Sequence, residues 1–248
     1  MRRNVVILSV CLALMMSATS LMITTSPLIG TILAGNQIWA TLPLACVFFG
    51  SLICAIPASL LMKVIGRRAG FAVGLVLGII GAIIATLGLM KSSFYLFCVG
   101  SLMVGLFNGF GQFYRFAAAD AANETYRSRA ISWVMAGGVI AAFLGPNLAN
   151  WSRDLIVATP FAGSYLSLIV LYIISLVLVA FIRIPKPIGE EKSSDGRRLR
   201  EIAAQPVFVV AVLGGVAAYA IMNLVMTSTP LAMADFGHSF SKTTLVFQ

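Results

Sequence analysis

Charged side chains are scarce in this sequence: 10% of its 248 residues are Asp, Glu, Lys or Arg, whereas 60% are hydrophobic. A soluble domain carries roughly 25% charged residues. The apolar stretches here run for about 20 residues, which at ~1.5 Å of rise per residue matches the ~30 Å hydrocarbon core of a bilayer. This composition excludes an ordinary soluble domain and predicts an all-α, polytopic membrane helix bundle.

Groups for chemical catalysis are also lacking. The single histidine, His238, lies outside the apolar stretches, and no Asp, Glu, Lys or Arg lies inside them. Nucleophilic catalysis needs a base beside the nucleophile. The four cysteines lie in apolar stretches without metal-ligand spacing and are interpreted as packing residues. We therefore predict no enzyme, no cofactor and no metal site.

Seven apolar segments are predicted to cross the membrane: 5–27, 39–62, 69–90, 93–114, 131–151, 161–182 and 207–229. If the N-terminus is inside, 14 of the 17 Lys and Arg residues fall on the inner side. Cytoplasmic loops carry such an excess, so the sequence predicts a cytoplasmic N-terminus in the cell (inner or plasma) membrane. The net charge of +9 then reflects topology and predicts the lipid bilayer, not nucleic acid, as a partner.

Two short segments resemble each other at a constant offset. Residues 21–28 (LMITTSPL) and 224–231 (LVMTSTPL) are identical at four of eight positions. The first and seventh spans are therefore predicted to be equivalent members of two parallel halves. We expect residues 1–184 to form a six-helix bundle, 185–205 a cytoplasmic linker, and 206–248 the first helix and outer loop of a second half. Five further helices are then expected to be missing from a truncated chain that is inactive alone.

The loop after the second span contains Gly66, Arg67 and Arg68. Residues 59–68 (SLLMKVIGRR) are similar to G-x-L-x-D-R-x-G-R-R, the cytoplasmic signature of the major facilitator superfamily, although Lys63 stands at the Asp position. The resemblance implies a secondary transporter with seven of an expected twelve helices present. It also implies a gating loop, for which Asp120 is a candidate ion-pair partner.

The fifth span contains Gly138, Gly145 and Pro146. This spacing resembles the superfamily's fifth-helix pattern, which is associated with antiporters and so favours export. Glycine allows close helix approach and proline frees a backbone carbonyl. We therefore predict a hinge in this helix.

Polar residues recur at helical spacing on three spans. They are predicted to line a substrate cavity, because amides that faced lipid would lack hydrogen-bond partners. The candidates are Asn108 and Gln112 on the fourth span, Asn223 and Thr227 on the seventh, and Ser20 and Thr24 on the first.

These residues predict alternating access for a small, neutral or weakly polar solute, with efflux favoured. A coupling ion is unassigned, because the spans lack the ionisable group that proton coupling needs. The alternatives are a non-transporting, receptor-like seven-helix protein and an inactive truncated remnant.

Overall fold

The structure, a computed structural model, describes residues 2–120, 127–182, 201 and 204–247. Within these ranges the chain forms α-helices, one 3₁₀ turn at Gln37–Trp39, and no strand. The helices are α1 Arg2–Ala34, α2 Leu42–Ile65, α3 Arg67–Met90, α4 Phe94–Gly111, α5 Tyr114–Asp120, α6 Arg127–Ser152, α7 Ala162–Ala180, α8 Pro206–Asp235 and α9 Phe240–Val246.

The described part of the chain contains seven helical segments that are long and apolar enough to cross a membrane. They are α1, α2, α3, the α4–α5 pair, α6, α7 and α8. The predicted polytopic helical fold is confirmed. The predicted linker 185–205 lies largely outside the described residues.

Two of the predicted helix ends are wrong, and both involve proline. The first span was expected to end at Pro27 and the seventh at Thr229, yet α1 continues to Ala34 and α8 runs through Pro230 to Asp235. A membrane helix tolerates an interior proline, because neighbouring groups satisfy the carbonyl that proline leaves free. Proline is therefore a weaker stop signal here than in a soluble helix.

Glycines control how closely the helices of the bundle pack. A methyl group added at Gly105 of α4 would overlap the carbonyl oxygen of Val47 on α2, and one at Gly50 of α2 would overlap Leu102. The α2 and α4 backbones are therefore in direct contact, as small residues allow in membranes. α3 packs against both α4 and α7, and α1 contacts α6, α7 and α8.

Candidate functional site

Asn108 of α4 lies near the middle of the apolar α4–α5 segment and is buried, with 6% of its surface exposed. Its Oδ1 lies 3.5 Å from Oγ1 of Thr19 on α1, which also donates to the Met15 carbonyl. Gln112 follows one turn later, at the break between α4 and α5, and its side chain is exposed. The structure thus places one predicted amide against α1 and the other on an open surface.

Ser20 and Thr24 lie one turn apart on α1. Thr24 is buried and donates to the Ser20 carbonyl, whereas Ser20 is half-buried beside Gly145 of α6. The sequence pattern missed Thr19, the α1 residue that meets Asn108. It lies beside Ser20 in the chain, but only a partner helix determines which of the two faces α4.

Asn223 and Thr227 are half-buried on α8, a helix whose other residues are mostly exposed. Asn223 Nδ2 donates to the Tyr219 carbonyl at 2.9 Å, within the same helix. Because α1 contacts both α4 and α8, the three helices that carry the six candidates are neighbours through α1. The side-chain hydrogen bonds described for Asn223 and Asn108 run to Tyr219 and Thr19, respectively, and not to each other.

Gly66 is the only residue between α2 and α3. Its φ of 89° and ψ of 160° fall in a region of backbone space that is essentially restricted to glycine. This conformation reverses the chain direction in a single residue and places Arg67 at the start of α3. Arg67 forms an ion pair with Asp120 at the end of α5.

Arg68, in contrast, is exposed and forms no ion pair with any residue that the structure describes. Glu124, the second carboxylate considered as a partner for these arginines, lies outside the described residues. Arg67 and Asp120 thus link α3 to α5. The role of this loop in gating remains a prediction.

α6 lies against α1 through small residues. A methyl group at Gly145 would lie 2.6 Å from the Ser17 carbonyl oxygen, and one at Gly137 would lie 2.9 Å from the Ser9 carbonyl oxygen. At Gly138 it would meet only the Met16 sulfur, at 3.3 Å. Gly137, which the sequence pattern did not select, therefore approaches α1 more closely than Gly138 does. Pro146 lies inside α6, which continues to Ser152.

A cation–π cluster at the far end of α6 was also missed from sequence. The Arg153 guanidinium carbon lies 5.0 Å from the ring centroid of Phe161 and 5.3 Å from that of Phe240. The two rings are edge-to-face at 5.2 Å, and both are buried. We call Arg153, Phe161 and Phe240 the Arg153 clamp. It joins the α6–α7 connection to α9, which follows α8.

The backbone of Phe161 is held in an unusual conformation. Its φ is +66°, a left-handed value that costs a bulky residue energy, and its N–H donates to the Arg153 carbonyl at 3.0 Å. The loop between α6 and α7 thus closes on itself and directs the Phe161 ring onto Arg153.

The sequence profile described as Major Facilitator Superfamily matches residues 6–248. The chain belongs to the Major Facilitator Superfamily. This confirms the membership inferred from residues 59–68 and from the Gly–Pro pattern of the fifth span, and it agrees with the helical bundle described above.

Several proteins of this superfamily resemble the chain. It is 39% identical to the riboflavin transporter RfnT of Brucella anthropi over 249 residues, covering 100% of this chain and 63% of that protein. It is 31% and 26% identical to the uncharacterized MFS-type transporters YddS and YdeG of Bacillus subtilis, covering 90% of this chain in each case. The chain spans 55% of the length of each of these two.

Proposed function

We propose that this protein takes part in secondary transport of a small, neutral or weakly polar solute by alternating access. The observation that carries the proposal is Asn108, an amide held at membrane depth in a superfamily of transporters. A buried polar group is costly in a membrane unless it is satisfied or functional. The contact to Thr19 engages Oδ1 of Asn108, and we propose that its Nδ2 donates to a solute.

The candidate cavity carries amides and hydroxyls without a carboxylate. Asn108, Gln112 and Asn223 each present donors and an acceptor, and Thr227 and Ser20 add hydroxyl groups. Such groups suit a solute that has several neutral hydrogen-bonding positions. The riboflavin transporter of B. anthropi, with 39% identity, favours a flavin-like solute, a heteroaromatic ring with carbonyls and a polyol chain.

Alternating access requires contacts that open and close at the two ends of the bundle. At one end the ion pair of Arg67 with Asp120 ties α3 to α5. At the other the Arg153 clamp ties α9 to the end of α6. We assign the ion pair to the cytoplasmic side, in a multi-pass inner-membrane protein with a cytoplasmic N-terminus, because Lys and Arg concentrate on that side.

The domain division and the direction of transport belong to the same proposal. Residues 1–184 form the first bundle, 185–205 the cytoplasmic linker, and α8 opens the second half. Gly145 packs closely against α1, and Pro146 follows it inside α6. Both features support a hinge in this helix. The resemblance of this pattern to antiporters favours export, with the coupling ion unassigned.

Riboflavin binding tests the solute class directly, because flavin fluorescence changes on burial. The purified 248-residue chain in mild detergent is titrated with riboflavin, and Asn108→Ala is compared with the unaltered chain. We expect saturable quenching and a Kd raised about 3- to 10-fold in Asn108→Ala, as for loss of one neutral hydrogen bond. Asn36→Ala, in the exposed α1–α2 connection, is the control and should leave the Kd unchanged.

Transport itself is measured as riboflavin counterflow in vesicles that contain the chain. Accumulation above that of empty vesicles, reduced by Asn108→Ala, supports a transporter. Binding without flux supports the solute class but contradicts transport by this chain alone. Absence of both binding and flux for riboflavin contradicts the flavin assignment.

A further inference from the structure

A groove of about 490 Å³ lies between α3 and α7, at the end of the bundle that carries Arg67 and Arg68. The first turns of α3 form one wall, with Arg68 at its mouth and Ala72 deeper. The last turns of α7 form the other wall, with Leu176, Val179 and Ala180. The groove is thus cationic at its mouth and apolar along both sides.

The charge at the mouth comes from Arg68. Arg67 also lines the groove, but its charge is offset by Asp120. Arg68 has no such carboxylate among the residues that the structure describes, and it is exposed. Among the described residues, the mouth therefore offers one guanidinium that has no carboxylate partner, a group that binds phosphate oxygens in a bidentate manner.

The apolar walls continue beyond the groove toward the middle of the bilayer. Val73 and Val76 are exposed on α3, and Ile173 and Val177 are exposed on α7, at helical spacings of three and four residues. A ligand that occupied both regions would need a charged head and an apolar tail. A soluble anion would gain nothing from these walls.

We propose that this groove binds an anionic phospholipid, with its phosphate on Arg68 and one acyl chain along Leu176 and Val177. Basic pockets between transmembrane helices have the chemistry that holds anionic headgroups, and a bilayer supplies this ligand at high local concentration. None of the described residues that line the groove is one of the six candidate cavity residues. The proposal is therefore independent of which solute is transported.

Native mass spectrometry of the full chain in detergent tests the proposal by counting the lipids retained. The chain is offered equal amounts of phosphatidylglycerol and phosphatidylcholine. We expect preferential retention of phosphatidylglycerol and a loss of about fivefold in Arg68→Gln, in line with one basic group at the headgroup level. Lys63→Gln is the matched control, because Lys63 is exposed near the end of α2 but does not line the groove. Phosphatidylglycerol retention in Lys63→Gln should fall by less than twofold.

A second variant tests the apolar wall. Ala180→Trp fills the groove from an exposed position, so the fold should tolerate it, and it should also reduce phosphatidylglycerol retention. Equal losses in Arg68→Gln and Lys63→Gln would overturn the proposal, as would unchanged retention in Ala180→Trp. Displacement of the lipid by millimolar inorganic phosphate would instead identify a site for free phosphate and would likewise overturn it. Size-exclusion profiles verify that each variant is folded.

Discussion

Arg153, in the connection after α6, lies over the ring of Phe240, the first residue of α9. The same guanidinium lies over Phe161, so one cation contacts two rings from distant parts of the chain. Thr243 and Thr244 of α9 are buried along with Phe240. The clamp therefore holds α9 onto the bundle.

We predict that Arg153→Gln releases α9. Each cation–π contact contributes about 0.5–1 kcal/mol near a surface, so losing two should raise the population of undocked α9 about fivefold or more. Thr243→Cys, in a chain whose four cysteines are replaced, reports this opening, because Thr243 is buried when α9 is docked. The measurement is the rate of maleimide labelling at that cysteine.

Two comparisons separate the clamp from general loosening. Phe240→Ala should speed labelling as Arg153→Gln does, since it removes one of the two rings. Leu245→Ala, at an exposed residue of the same helix, should leave the rate unchanged. Equal labelling rates in the unaltered chain and in Arg153→Gln would mean that the clamp does not hold α9.

Gly145→Ala is predicted to destabilise the bundle, because the new methyl group would lie 2.6 Å from the Ser17 carbonyl oxygen. Backbone cannot yield as a flexible side chain does, and overpacking of this kind costs about 1–3 kcal/mol. Gly138→Ala is the control on the same helix, because its methyl group meets only the Met16 sulfur. Thermal unfolding in detergent should give a lower Tm for Gly145→Ala alone. Equal Tm values would contradict the close contact of α1 with α6.

Much of the architecture follows from composition, because a membrane-spanning helix needs only a long apolar run. The clean separation of charges located every span, and Gly66 with its arginines predicted a tight turn beside a carboxylate. Asn108 was expected to point away from lipid, and it is buried.

Other features depend on partners that a sequence does not reveal. Adjacent residues on a helix point about 100° apart. Without the facing helix, the sequence therefore does not show whether Gly137 or Gly138 packs against α1, or whether Thr19 or Ser20 faces α4. Arg153 lies in the α6–α7 connection and Phe240 begins α9, and no periodic pattern relates the two, so their contact has no local signal. The predicted end of the first span at Pro27 was wrong because the cost of an interior proline depends on the surrounding helices.

Gly66→Ala is predicted to be more damaging than Gly35→Ala. Gly66 has a φ of 89° with a ψ of 160°, a region that a residue with a Cβ enters at a cost of about 1–3 kcal/mol. Gly35 also has a positive φ, 63°, but near the left-handed helical value that other residues adopt at lower cost, and no atom lies within 4 Å of an added methyl group. Thermal unfolding of both variants checks this ranking. A similar loss of Tm in both would indicate that the α2–α3 turn is not held in the conformation described.

The ion pair of Arg67 with Asp120 is predicted to couple α3 to α5 only modestly. The two side chains are 22% and 40% exposed, so solvent screens the attraction, and exposed pairs contribute about 0.2–1 kcal/mol. A double-mutant cycle with Arg67→Gln and Asp120→Asn, measured by unfolding in detergent, should give a coupling energy in that range. The coupling should fall when the salt concentration is raised.

A coupling of zero at low salt would mean that the pair does not form. A value of several kcal/mol that salt does not change would mean that the pair is far more buried than the structure shows. Either result would alter the gating proposal, because that proposal requires a weak, screened pair that can break in each transport cycle.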